Sequence, residues 1–190
     1  MPDWCDNKAT FHHPDITMIQ RLVEGYQGDG LMGTFFPRPA QSIKKSRTNK
    51  EIFDVISWSY DNWGTKWDIC EKNNNRVAEI SEDFKSVTLR FNSAWHPPFT
   101  FYENMIDLGF SVEAYYCRSN DEICGQFLNE REEEYYISDA SSEEIPDIIP
   151  KAIDEALGIT RRIAELEKIF EDLLEEEGEG DEEDEGEEAA

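Results

Sequence analysis

Lys85-Ser86-Val87-Thr88-Leu89-Arg90-Phe91-Asn92 decides the fold class. Val87, Leu89 and Phe91 fall on one side of an extended chain, and Ser86, Thr88 and Arg90 on the other, which is the period of a half-buried β-strand. Ser93-Ala94-Trp95-His96-Pro97-Pro98 breaks this strand, a helix follows over about 99–108, and Gly109 stops it. A second alternating run begins at Phe110 and ends at Arg118, with Phe110, Val112, Ala114 and Tyr116 on one face. Ser119-Asn120-Asp121-Glu122 reads as a hairpin turn. Residues 123–129 then return antiparallel, with Gly125 at the expected position of a bulge. Residues 132–137 form a last edge strand.

Upstream, Trp4 to Phe11 alternates as a first strand, with Cys5, Asn7, Ala9 and Phe11 facing inward. An inward Asn needs hydrogen-bond partners, so Asn7 is expected to tie down a neighbouring loop. Pro14-Asp15 opens a helix to about Glu24 carrying Ile16, Ile19, Leu22 and Val23, with Gly25 as its end. Residues 28–41 read as loop, stiffened by Pro37 and Pro39 and pinned by Phe35 and Phe36. Its Gly residues lack the Lys-Ser/Thr of a phosphate loop. Residues 44–50 form a basic surface cluster, residues 51–62 a second helix, and residues 67–70 the start of a strand. Asn73-Asn74-Asn75 is a turn, followed by a short strand over 76–80. Helices interspersed with antiparallel strands define an α+β domain, and the simplest plan is a ferredoxin-like sheet over residues 1–139 with helices on one face.

Trp63-Gly64-Thr65-Lys66-Trp67-Asp68 lies in the aromatic-rich half. Its two Trp can serve as core anchors around a Gly turn, or its Lys66, Trp67 and Asp68 can form a small binding surface. Four motifs occur in order: Met1-Pro2-Asp3-Trp4-Cys5-Asp6-Asn7, Phe36-Pro37-Arg38-Pro39, Trp63 to Asp68, and Phe91-Asn92-Ser93-Ala94-Trp95-His96-Pro97-Pro98. Together they resemble the YubB-type ferredoxin-like family of phage- and plasmid-encoded proteins, over residues 1 to about 137. Its members typically begin Met-Pro-Asn-Trp-Cys, where this chain has Asp3. The resemblance implies a ferredoxin-like fold and a mobile-element origin. It carries no established activity, no catalytic residues and no iron–sulfur cluster.

The 190 residues carry 43 acidic and 18 basic side chains, a formal net charge of −25. From Ser141 onward the balance is 20 acidic to 4 basic, so −16, leaving 23 and 14, or −9, for the first 140 residues. Such charge disfavours phosphate-backbone binding and favours basic partners. Residues 140–174 form a helical extension. Ser141-Ser142-Glu143-Glu144 resembles a capping box, Pro146 and Pro150 interrupt the apolar pattern, and Gly158 punctuates it. Ile159, Ile163, Leu166, Phe170, Leu173 and Leu174 then mark an amphipathic helix that packs back on the sheet or pairs as a homodimer, with presentation of its stripe to a foreign partner as the less favoured alternative. Residues 175–190 read as a disordered acidic tail, solubilising or acting as a crude nucleic-acid mimic.

The chemistry of a catalytic site is mostly missing from the sequence. His12, His13 and His96 are the only His, and successive His at a strand end point opposite ways. No Gly-x-Ser-x-Gly elbow occurs, and Cys5, Cys70, Cys117 and Cys124 include no Cys-x-x-Cys pair. No catalytic residue, metal ligand or cofactor is therefore expected. The opening lacks a signal-peptide pattern and no apolar run has the length of a membrane span, so the expected location is the cytoplasm, that of the host if the protein is phage-encoded. The expected role is a non-enzymatic accessory module binding an unidentified host or phage protein. A single-stranded nucleic-acid reader using Tyr115, Phe127, Tyr135 and Tyr136, and an uncharacterised enzyme, are the alternatives. The candidate contact residues are Asn7, Lys66, Trp67, Asp68, Trp95 and His96, the polar and aromatic groups that packing explains least.

Overall fold

The computed structural model describes residues 3–28, 30–39, 49–69, 78–118 and 122–180, with backbone alone over 49–54 and 175–180. The chain divides into two units, residues 1–138 and 139–190.

The alternation seen in sequence builds the first unit. β1 (Trp4–His12) lies at the centre of an antiparallel sheet of order β2-β3-β1-β4-β5-β6. Its neighbours are β3 (Ser86–Ala94) and β4 (Ser111–Arg118). β2 (Glu79–Ile80) flanks β3, while β5 (Ile123–Leu128) and β6 (Arg131–Tyr136) extend the sheet beyond β4. The order β2-β3-β1-β4, all antiparallel, is the split βαβ plan of a ferredoxin-like fold. The β5–β6 meander and additional helices make that likeness approximate.

Register carries the apolar residues onto one face. Phe11 sits between Val87 and Val112, Ala9 between Leu89 and Ala114, and Asn7 between Phe91 and Tyr116. Against this face pack α1 (Ile16–Gln27), α2 (Leu31–Phe35) and α4 (Phe99–Asp107), with Trp63 at the end of α3 (Asn49–Trp63) joining the same core. Asp15 caps α1 by accepting from the Thr17 amide at 2.9 Å. Phe11 meets Phe101, Tyr102 and Phe110 edge-on, the geometry that aromatic quadrupoles prefer.

Several local expectations need correction. Gly25 lies inside α1, which runs on to Gln27, because α2 packs there: a β-carbon at Gly25 would stand 2.6 Å from Thr34 Oγ1. The segment read as loop contains α2. Residues 67–69 form no strand. Gly125 makes no bulge, since it pairs in regular register with Tyr116. The basic cluster over 44–48, the Asn73-Asn74-Asn75 turn and residues 119–121 of the hairpin lie outside the described residues, as do residues 76–77 of the segment read as a strand over 76–80, whose last two residues form β2.

In the second unit, only the reach-back half of the expected capping box forms: Glu144 Oε2 accepts from the Ser141 amide and hydroxyl, both at 2.9 Å, while the Glu144 amide donates to the Ser141 carbonyl rather than to its hydroxyl. α5 (Ile145–Ile148) and α6 (Lys151–Leu157) are separated at Pro150, and Gly158, at φ 67°, closes α6. α7 (Ile159–Gly180) is longer than the sequence pattern indicates, carrying helical backbone into the expected tail. Residues 181–190 lie outside the described residues. Asp154 caps α7 through the Thr160 amide and hydroxyl, and Glu167 reaches back to the Ser142 amide and hydroxyl. Among the described residues, no helix is long and apolar enough to cross a membrane.

Candidate functional site

The sequence motifs converge on one end of the sheet, formed by the start of β1 and the ends of β3, β4 and β6. The Trp63–Asp68 segment crosses it, alternating anchors with exposed groups. Trp63 is buried and donates its indole N–H to the Phe36 carbonyl at 3.0 Å. Thr65 is fully buried and donates to the Ala94 carbonyl at 2.9 Å, fixing the segment to the end of β3. Just after these anchors the Lys66 carbonyl accepts from Arg38 at 3.2 Å. The Arg38 guanidinium also lies over the Trp63 ring, 4.4 Å from its centroid, and donates to Ser59 Oγ at 2.8 Å. Burial lowers the proton affinity of Arg38 from its usual value, and the Asp68 carboxylate partly offsets this.

Asp68 is occupied by a structural task. Its carboxylate accepts from the amides of Met32 (3.0 Å) and Gly33 (2.7 Å) at the N-terminus of α2, and from the Ile69 amide at 2.8 Å. It thus caps a five-residue helix that has no side-chain cap of its own. An Asp68→Ala substitution is expected to cost about 2–3 kcal/mol, since it strands part-buried donors, and Asp68→Asn should recover part of that. Urea unfolding checks this; a loss below about 0.5 kcal/mol for the Ala variant would refute the capping role.

Asn7 is also committed internally. Its Nδ2 donates to the Cys5 carbonyl (2.8 Å), Ser93 Oγ (2.9 Å) and the Phe91 carbonyl (3.3 Å), and its Oδ1 accepts a longer bond from the buried Tyr102 hydroxyl (3.4 Å). Ser93 Oγ passes the connection on by donating to the His96 carbonyl at 2.7 Å.

Lys66, Trp67, Trp95 and His96 remain at the surface. Lys66 Nζ lies over the Trp67 ring at 4.8 Å, and Trp67 tilts against Trp4 with centroids 6.2 Å apart. Trp4, Trp67 and Trp95 are 46%, 39% and 38% exposed, a large indole area left in water at one sheet end. Trp95 has φ 73°, a left-handed conformation costly for a bulky residue. Its amide donates to the Asp3 carbonyl at 2.8 Å, and the His96 amide donates to the Ala94 carbonyl at 3.0 Å, so the strained turn is held from both sides.

A polar chain runs from His96 across the sheet. Arg118 donates to His96 Nδ1 at 3.1 Å, which leaves the ring proton on Nε2, and to Glu134 at 3.0 Å. Glu134 and Glu132 each lie 3.2 Å from the Tyr116 hydroxyl. Burial, then the two carboxylates, push the Tyr116 phenol far above its ordinary range. Burial and Glu134 raise Glu132, against the lowering pull of Tyr116 and Arg118. Nearby Cys5 is buried, and desolvation is the main cause that pushes its thiol well up. The chain orients His96; it brings no activated nucleophile to it.

The structure therefore unites Trp67, Lys66, Trp95 and His96 at one surface, and spends Asn7 and Asp68 beneath it. Trp4, Arg38 and Arg118 were missed as site residues. Arg118 carried a readable signal, since a cation ends the inward-facing row of β4 beside Cys5 and Ile123. The four aromatics considered for base stacking do not share a face. Phe127 is buried with the core and Tyr136 follows its face, whereas Tyr115 and Tyr135 lie on the other side. Among the described residues, no cluster of His, Cys, Asp or Glu has the makings of a metal site.

No family model, curated protein or solved structure matches the chain.

Proposed function

We propose that this chain is a non-enzymatic accessory module of the kind carried by phages and plasmids, and that it binds a protein partner through the Trp-rich end of its sheet. The mobile-element origin rests on the four ordered sequence motifs. The observation that carries the binding role is Trp95: a bulky side chain held at positive φ and left exposed beside the Trp4–Trp67 pair. Rigid, partly exposed indoles are the usual energetic centres of protein interfaces. A nucleic-acid role receives less support, since the sheet offers no shared aromatic platform and the net charge is −25.

The test uses the full-length chain as bait in host extract, beside a Trp4→Ala/Trp67→Ala variant and a Trp95→Asn variant. A specific partner should fall at least tenfold with the double variant. Asn tolerates the left-handed conformation, so Trp95→Asn should keep or raise the Tm while weakening capture. Undiminished capture by both folded variants would overturn the assignment of this surface.

A further inference from the structure

The first turns of α7 and the last described ones have different environments. Ile159 is buried, whereas Leu166, Ile169, Phe170, Leu173 and Leu174 are all more than half exposed. These five recur at i, i+3, i+4, i+7 and i+8, which places them in one stripe along the helix. We infer that this stripe, with the carboxylates beside it, is a docking site for a Lys/Arg-rich amphipathic helix of another protein.

Two observations select that occupant over a second copy of the chain. The first is area. Even at the roughly 150–250 Å² of an aromatic side chain, five that are a little over half exposed offer at most about 750 Å² when wholly covered, short of about 800 Å² per partner in a stable interface. Apolar contact alone is therefore too small to hold a dimer. The second is charge. Glu167, Glu171 and Asp172 flank the stripe against a single Lys168, and from Glu175 to Ala190 the sequence adds 11 carboxylates and no basic residue. A second copy would bring the same excess of negative charge to the contact. A basic amphipathic helix would cover the stripe with its apolar side and draw the added affinity from its flanking cations. The negative charge of the chain as a whole also raises the encounter rate with a cationic partner.

The experiment titrates the full-length chain with a synthetic Leu/Lys peptide patterned as an amphipathic helix, and with a scrambled peptide of identical composition. Calorimetry at low and moderate salt is paired with sedimentation of the chain alone. The patterned peptide is expected to bind at least tenfold more tightly than the scrambled one. A Phe170→Asp/Leu173→Asp variant should lose that advantage; because both side chains are exposed, circular dichroism should show the helix content unchanged. Ending the chain at Leu174 should weaken binding and flatten its salt dependence. Equal binding of the two peptides would reduce the effect to bulk charge and overturn the proposal. A dimer in sedimentation that Phe170→Asp/Leu173→Asp dissociates would overturn it in favour of a second copy.

Discussion

A Gly125→Ala variant is expected to lose about 3 kcal/mol or more of stability, which lowers the Tm by roughly 6–12 °C for a chain of this size. Gly125 pairs directly with Tyr116 across β4 and β5. A β-carbon there would stand 2.5 Å from both Cζ and the hydroxyl of Tyr116, and 2.6 Å from the Glu133 carbonyl oxygen. Neither neighbour has room to yield. The Tyr116 ring is fully buried, packs edge-on against Phe99 at 5.4 Å, and anchors its hydroxyl on Glu132 and Glu134. The carbonyl belongs to the backbone of β6. An aromatic ring laid over a cross-strand Gly is a recognised means of pinning register. The clash therefore threatens the pairing of β5 with both neighbours as well as one rotamer. Replacing Tyr116 with Leu in the Gly125→Ala background should recover part of the loss. A Gly125→Ala variant within about 0.5 kcal/mol of the wild type in urea would refute this account.

The same pair marks where sequence reading stops. Alternation identified Val87, Leu89 and Phe91, and Val112, Ala114 and Tyr116, as inward rows, and all are buried. Those signals are local, because a strand's period is written in consecutive residues. A Gly in such a strand announces something unusual, but its cause lies in a different strand. Bulge and ring-over-glycine look the same from one side. α2 is illegible for a similar reason. Leu31-Met32-Gly33-Thr34-Phe35 is short and holds a Gly, and its cap, Asp68, arrives from more than thirty residues away. No window around residue 31 contains the group that stabilises the helix.

The candidate site was legible as a set of unusual residues and illegible as a division of labour. Lys66, Trp67 and Asp68 are adjacent, yet Trp67 is exposed with the half-buried Lys66 laid over its ring, while Asp68 caps a helix. Asn7 and His96 stand out in the sequence for the same reason, polarity at an aromatic motif. The structure links them through Ser93, with Asn7 below and His96 at the surface. Sequence names the residues that packing fails to explain; only the placement of their partners separates support from contact.

Asn7→Asp should be among the most damaging isosteric changes in the chain, costing about 3–5 kcal/mol at pH 7. The Asn7 amide group is placed to donate: its Nδ2 faces the Cys5 and Phe91 carbonyls and Ser93 Oγ. A carboxylate puts a buried negative oxygen against two carbonyl oxygens, and only Ser93 and Tyr102 have hydroxyls that could turn toward it. Desolvation and this repulsion disfavour the ionised form, so the introduced carboxyl has a folded-state pKa above its unfolded value of about 3.9. The sign of the pH dependence follows. Below the unfolded value the carboxyl is neutral in both states and the variant retains its full stability. As pH rises through the interval up to the raised folded value, the unfolded state releases its proton more readily and stability is lost. Because the many native carboxylates also titrate in acid, the quantity to measure is the difference in unfolding free energy from wild type at each pH, alongside Asn7→Leu, which introduces no titrating group. The Asp deficit should shrink from pH 7 to pH 4 while the Leu deficit stays nearly constant. Parallel deficits across that range would mean that Asn7 acts by shape rather than by donating hydrogen bonds, and the polar link from β1 to His96 would lose its basis.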